Sequence, residues 1–245
     1  MLPAPDSPRW NSPLSAFALG VRSVGATVLS LVLFATYLGV GALANNAGFS
    51  LGWALGSTAL VWAAPAQIIL ITSLGSGAAP VQAALAVTIS AIRLLPMVAA
   101  VIPVVRGPAT RMRDLLLPTH FTAVTFWVES FRLLPQVPRP SRVAFCNGLG
   151  TGLVLLCLVA TTAGYSLAAE LPPMLASAML MLTPLSFLLS TARNAKLLVD
   201  RLALALGIAI YPAVAMLNTG VDILISGVMA GTLAFAVHWW RRRAI

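Results

Sequence analysis

The chain has 245 residues, of which 59% are hydrophobic and only 9% charged, with a formal net charge of +9. Soluble domains carry about 25% charged residues. That shortfall, with a mean hydropathy of +0.94, excludes a water-soluble fold and makes the chain an integral membrane protein. Within lipid every backbone polar group must be paired, so only helices or a closed barrel can span. Barrel strands alternate polar and apolar residues; this sequence instead shows continuous apolar runs. The fold class read from it is all-α, a polytopic transmembrane helical bundle with about seven spans. The domain reading is a flexible N-terminal tail at 1–13, a transmembrane domain at 14–240 and a basic tail at 241–245.

The positive charge does not read as a nucleic-acid footprint. It falls in Arg106/Arg111/Arg113, Arg132/Arg139/Arg142, Arg193/Lys196/Arg201 and Arg241/Arg242/Arg243. Each cluster lies between or after apolar runs, where cytoplasmic loops collect Lys and Arg. Cys146 and Cys157 lie on one expected helix about 16 Å apart, too far to bridge. No metal or other cofactor is expected, because no Cys/His cluster is present.

In chain order, residues 1–13 are polar and proline-rich, and a short helical lead contains Arg22. The first span is expected at 24–44. It ends in Ala42-Leu43-Ala44, which resembles a cleavage site, but its apolar run is longer than a signal peptide's about 7–15 residues. Span two is expected at 51–74 and span three at 80–105. Pro65 interrupts the former; Pro96 and Pro103 interrupt the latter. Proline removes a backbone donor, and in a membrane such breaks persist only where protein or a wet cavity supplies partners. Both segments therefore read as walls of a site.

The run at 119–131 is short for a span and has basic loops on both sides, so it is a candidate re-entrant or in-plane helix. Further spans are expected at 143–166, 174–191, 202–218 and 221–240. Loop charges fit seven spans with the N-terminus outside and the C-terminus in the cytoplasm. If the segment around Pro65 does not fully cross, the N-terminus is cytoplasmic. An internal echo, Ala47-Gly48-Phe49-Ser50-Leu51 and Ala163-Gly164-Tyr165-Ser166-Leu167, with Pro65 and Pro184 after them, raises inverted repeats with proline-broken helices, a recurrent transporter design.

Polar residues inside apolar runs are costly and mark candidate sites. Arg93 lies deep in the third run; its guanidinium can clamp a carboxylate by two parallel hydrogen bonds. Pairing with Glu129, pairing with carbonyls freed near Pro96, or a snorkelling side chain are the structural alternatives. Glu129 is the candidate proton-coupling residue, and pairing with Arg132 three positions along the helix is its competing role. Gln67, two residues after Pro65, and Asn147 can each offer a donor and an acceptor to a substrate. Interhelical bonding competes for Gln67, and Gly148, Gly150 and Gly152 read as a packing face beside Asn147. His120 and His238 fall at interfaces, and Trp239/Trp240 form a surface anchor.

Enzyme classes find little support. A serine hydrolase needs a nucleophile and a histidine within reach, but both histidines sit at run ends and no G-x-S-x-G elbow occurs. Asp200 and Asp222 fall at span edges rather than forming a buried dyad, and no P-loop is present.

Over residues 16–240 the chain resembles the AzlC family of branched-chain amino acid permeases. Gly39-Val40-Gly41-Ala42-Leu43-Ala44 with Ala47-Gly48-Phe49-Ser50 is similar to that family's first block. Trp62-Ala63-Ala64-Pro65-Ala66-Gln67 is similar to its F-A-G-A-S-Q stretch, with Gln67 matching. Ile92-Arg93-Leu94-Leu95 is similar to its N-L-R-H stretch, with Arg93 matching, and Glu129 is similar in position to the acid of its D-E pair. Ala91, Leu94, Val128 and Ala64-Pro65-Ala66 depart from the pattern and make this a divergent member. The resemblance implies a multi-pass protein of the bacterial inner membrane. It implies efflux of branched-chain or other small amino acids with a small AzlD-like membrane partner. Arg93, Gln67 and Asn147 would bind substrate, Glu129 would couple protons, and Pro65 and Pro96 would break the helices. A non-transporting assembly or regulatory subunit is the rival reading.

Overall fold

A computed structural model describes residues 2–107, 109–170, 185, 188, 189, 192, 195, 197–216 and 222–243, without the side chains of 26, 222–224 and 241–243. Among the described residues every regular element is a helix. Two compact units are present, 1–184 and 185–245.

The first unit opens with α1 (Pro13–Ser23) and α2 (Val28–Asn46). Thr27 starts α2 by accepting the Ser30 N–H through its hydroxyl at 3.2 Å, so one of the four donors a helix start leaves unpaired is satisfied. The turn after α2 carries Gly48 at φ 78°, a left-handed conformation that glycine adopts at no steric cost. Then follow α3 (Leu51–Val61), α4 (Ala64–Gly75), α5 (Pro80–Ala91) and α6 (Leu94–Val105). Short α7 (Leu116–His120) and α8 (Val124–Leu133) precede the long α9 (Arg142–Glu170).

The core forms where α9 lies against α1 and α2. Glycines permit that approach. A Cβ on Gly148 would strike the backbone of Phe17, and one on Gly164 the backbone of Leu38; Gly20 and Gly41 present matching gaps to α9. Small residues of this kind let membrane helices close to backbone contact, so the glycine series read as a packing face is one. Cys146 and Cys157 are both buried and unbridged.

The N-terminal segment read as a tail holds a docked anchor. Trp10 is buried, packs edge-on against Phe145 at 6.1 Å and donates its indole N–H to Ala4 O at 3.0 Å. Its own carbonyl accepts from Ser141 Oγ at 2.8 Å.

The second unit contains α10 (Leu198–Ala215) and α11 (Asp222–Arg243), packed on each other. Asp200 accepts the Leu197 N–H at 3.1 Å and so starts α10. Ala230 and Ala234 of α11 are buried, while Trp239 and Trp240 are exposed near its end. The span expected at 174–191 lies outside the described residues apart from isolated positions, as do Arg193, Lys196 and Pro184.

By length and composition three helices, α2, α9 and α10, can cross a membrane, or four if the bent α5–α6 pair counts as one span. A count of seven is thus not confirmed; beside these, the described residues hold several shorter apolar helices. The expected second span is split into α3 and α4, neither of which is long enough alone. The echo between 47–51 and 163–167 takes two different conformations. Its first copy is the turn around Gly48, whereas its second lies inside unbroken α9. The two copies touch: Tyr165 donates its hydroxyl to Phe49 O at 2.9 Å.

Candidate functional site

The chain breaks near Pro65 and near Pro96, each time slightly upstream of the proline, whereas Pro103 lies inside unbroken α6. Pro65 sits in the first turn of α4, and the chain bends at Trp62 (φ −29°, ψ 42°). An N–H at position 65 would have bonded to Val61 O in a continuous helix; that carbonyl instead accepts from Ala63 N. Pro96 acts the same way. Ile92 O, which an N–H at 96 would have taken, accepts from Leu95 N at 3.1 Å. α5 and α6 meet there at 51°, with Arg93 at the knee.

The two breaks meet. A cavity of about 270 Å³ is walled by Val61, Trp62 and Ala63 of the first break and Ala66 in the first turn of α4. Ala91 and Leu94, on either side of Arg93, form the second wall. His120, Thr122 and Ala123, from the turn between α7 and α8, close the third side. Reciprocal hydrogen bonds hold that turn against the end of α3. Trp62 Nε1 donates to His120 O at 3.1 Å, and His120 Nε2 meets Ala59 O at 3.1 Å. The volume suits a small metabolite rather than a drug-sized ligand, for which pockets run about 300–1,000 Å³. No lining residue is an acid, lysine or arginine.

α8 follows this turn directly. Its ten residues rise about 15 Å, half of a hydrocarbon core, so alone it is too short to cross. Phe126, Glu129, Ser130 and Leu133 form its buried face, the i, i+3, i+4, i+7 stripe of an amphipathic helix.

The candidate residues fall in different places. Arg93 is exposed at the knee and, among the described residues, makes no hydrogen bond or ion pair; it is not itself in the lining. Glu129 pairs with Arg132 and not with Arg93. Arg132 Nε and Nη2 both donate to Oε2, at 2.8 and 2.5 Å. Glu129 is 2% exposed and its Oε1 has no partner. Gln67, one position beyond the lining Ala66, is fully buried and turned toward α3. Its Nε2 donates to Ser57 Oγ at 2.9 Å and Thr58 Oγ1 at 2.8 Å. Thr58 Oγ1 also meets Thr161 Oγ1 of α9 at 3.3 Å. Gln67 Oε1 is left without a partner. Asn147 lies on α9 outside the cavity, its Oδ1 also buried and unpaired.

Sequence reading took His120 as interfacial and missed its place in the lining. The available signal was its position at the start of the short run flanked by basic loops, beside Thr122. Arg142, read only as a loop charge, has a structural role: it donates to Val137 O at 3.0 Å and to Val104 O of α6 at 2.8 Å. It thereby satisfies a carbonyl left open at a helix end.

A family model described as "AzlC protein" matches residues 28–171, more than half of the chain, covering α2 through α9 and therefore every wall of the cavity. Neither curated proteins nor solved structures give a match.

Proposed function

The chain belongs to the AzlC family, associated with branched-chain amino acid transport, and on that premise we propose that it is a secondary active exporter of branched-chain or other small amino acids. Its setting is the bacterial inner membrane and its partner a small AzlD-like membrane subunit. The observation that carries this reading is the cavity at the meeting point of two proline-broken helices. Broken helices around a central cavity are how many transporters expose backbone groups to a substrate within the bilayer.

In the proposed mechanism, alternating access works by rocking the half-helices about the breaks next to Pro65 and Pro96. The aliphatic side chain of the substrate is desolvated against Val61, Ala66 and Leu94, which contributes about 0.8 kcal/mol per methylene. Arg93 sits between two lining residues and swings its guanidinium onto the substrate carboxylate when the knee moves. Gln67 keeps a buried carbonyl oxygen unmatched beside the lining helix turn, an arrangement that a purely structural residue has no reason to retain. It orients the substrate as the half-helices move. Glu129, buried with one oxygen held by Arg132, exchanges protons.

The experiment is efflux of a labelled amino acid panel from cells or proteoliposomes carrying the chain with its small partner. Arg93→Gln abolishes export while the protein still inserts; normal export by that variant overturns the anchor role. A second reading, a non-transporting membrane subunit, draws on the uncharged lining. It is sustained if proteoliposomes holding both proteins move no amino acid.

A further inference from the structure

We propose that His120 is the residue that reads the amino group of the substrate, setting which end of a zwitterion enters the cavity. The inference rests on the amino-acid reading above and adds an orientation to it.

Three residues in the lining have polar side chains: Trp62, His120 and Thr122. The Trp62 indole N–H is spent on His120 O. The Thr122 hydroxyl hydrogen is spent on Pro118 O at 2.8 Å. A carbonyl oxygen can only accept, so the bond between His120 Nε2 and Ala59 O puts the ring hydrogen on Nε2. That tautomer leaves Nδ1 as an acceptor. Every polar side-chain hydrogen in the walls is thus used within the protein. What these lining side chains have left to offer a ligand is acceptor capacity, at His120 Nδ1 and on the remaining lone pairs of Thr122 Oγ1. An ammonium group, with three donors and no acceptor, complements that set; a carboxylate meets no side-chain donor in it. The amino group therefore goes in toward the α7–α8 turn, and the carboxylate stays toward the knee at Arg93. A site built to hydrogen-bond a donor rejects an analogue that lacks it.

Two substitutions separate this role from the bond that ties His120 to α3. In His120→Gln the side-chain amide nitrogen takes the place of Nε2, so the bond to Ala59 O is kept and the Nδ1 acceptor is lost. In His120→Asn the amide oxygen takes the place of Nδ1, so the acceptor is kept and the bond is lost. The measurement is equilibrium binding of leucine and of its counterpart with no α-donor, 4-methylpentanoate, to the detergent-purified full chain. Wild type binds leucine at least about tenfold more tightly than 4-methylpentanoate, the worth of one such hydrogen bond. H120Q loses that preference, with the 4-methylpentanoate affinity unchanged, and H120N keeps it. A wild type with equal affinity for both compounds, or H120Q with the preference intact, overturns the assignment while leaving amino acid transport standing. A wild type that takes neither compound removes the amino-acid reading, and this inference with it.

Discussion

Gln67 poses a question of magnitudes. Replacing it by leucine removes two hydrogen bonds to Ser57 and Thr58, each worth about 1 kcal/mol, and also removes an unpartnered buried carbonyl that costs about 1–3 kcal/mol. The two effects offset. Gln67→Leu is therefore expected to change thermal stability in detergent by no more than about 1 kcal/mol and to lower export sharply. A loss of stability without a loss of export would make the residue interhelical glue alone. Glu129 is buried, while its partner Arg132 is half exposed. Glu129→Gln keeps the shape but cannot carry a proton. Export by that variant is expected to lose its dependence on the proton gradient, measured in vesicles with and without an imposed gradient; unchanged coupling would leave the pair a structural one.

At the scale of elements, glycine contacts decide how α9 packs. Gly164→Val places a branched side chain against the backbone of Leu38, which cannot move aside as a flexible side chain would. Overpacking of this kind costs about 1–3 kcal/mol or more, so a lower thermal midpoint is expected. Gly52→Ala is the control: nothing lies within 4 Å of its would-be Cβ, and alanine is the better helix former by up to about 1 kcal/mol. Equal effects of the two substitutions would show that close approach does not hold α9. Helix breaks were legible at this scale because proline removes the N–H at a known position, and the orphaned carbonyl lies one turn earlier. The apparent repeat was not, since A-G-aromatic-S-L is compatible with either a turn or a helix. Context chose a turn at Gly48 and a continuous helix at Gly164.

For the whole molecule, crossing and re-entry differ in which faces water can reach. If the α5–α6 pair crosses, the turn before it and the loop after it lie on opposite sides. Cys146 and Cys157 are fully buried, so a thiol placed elsewhere labels against a low background. Ser76→Cys is expected to react with a membrane-impermeant maleimide on intact cells, and Ala109→Cys only in inside-out vesicles, as basic clusters facing the cytoplasm require. Reaction of both from the same side would make the pair a re-entrant loop. The same labelling at Asn11→Cys decides between the two placements of the N-terminus that loop charges leave open.

Membrane class, helical architecture and the two broken segments follow from the sequence itself, because hydropathy and proline act on their own neighbourhood of the chain. The meeting of the breaks in one cavity does not, nor does the tie of Thr58 to α9 or the docking of Trp10 against Ser141. These depend on partners far apart in the chain: 58 and 61 residues separate the groups joining Trp62, His120 and Ala59, and 103 separate Thr58 from Thr161. Composition can require that a buried polar group find a partner. Only close packing of the helices selects which one it finds.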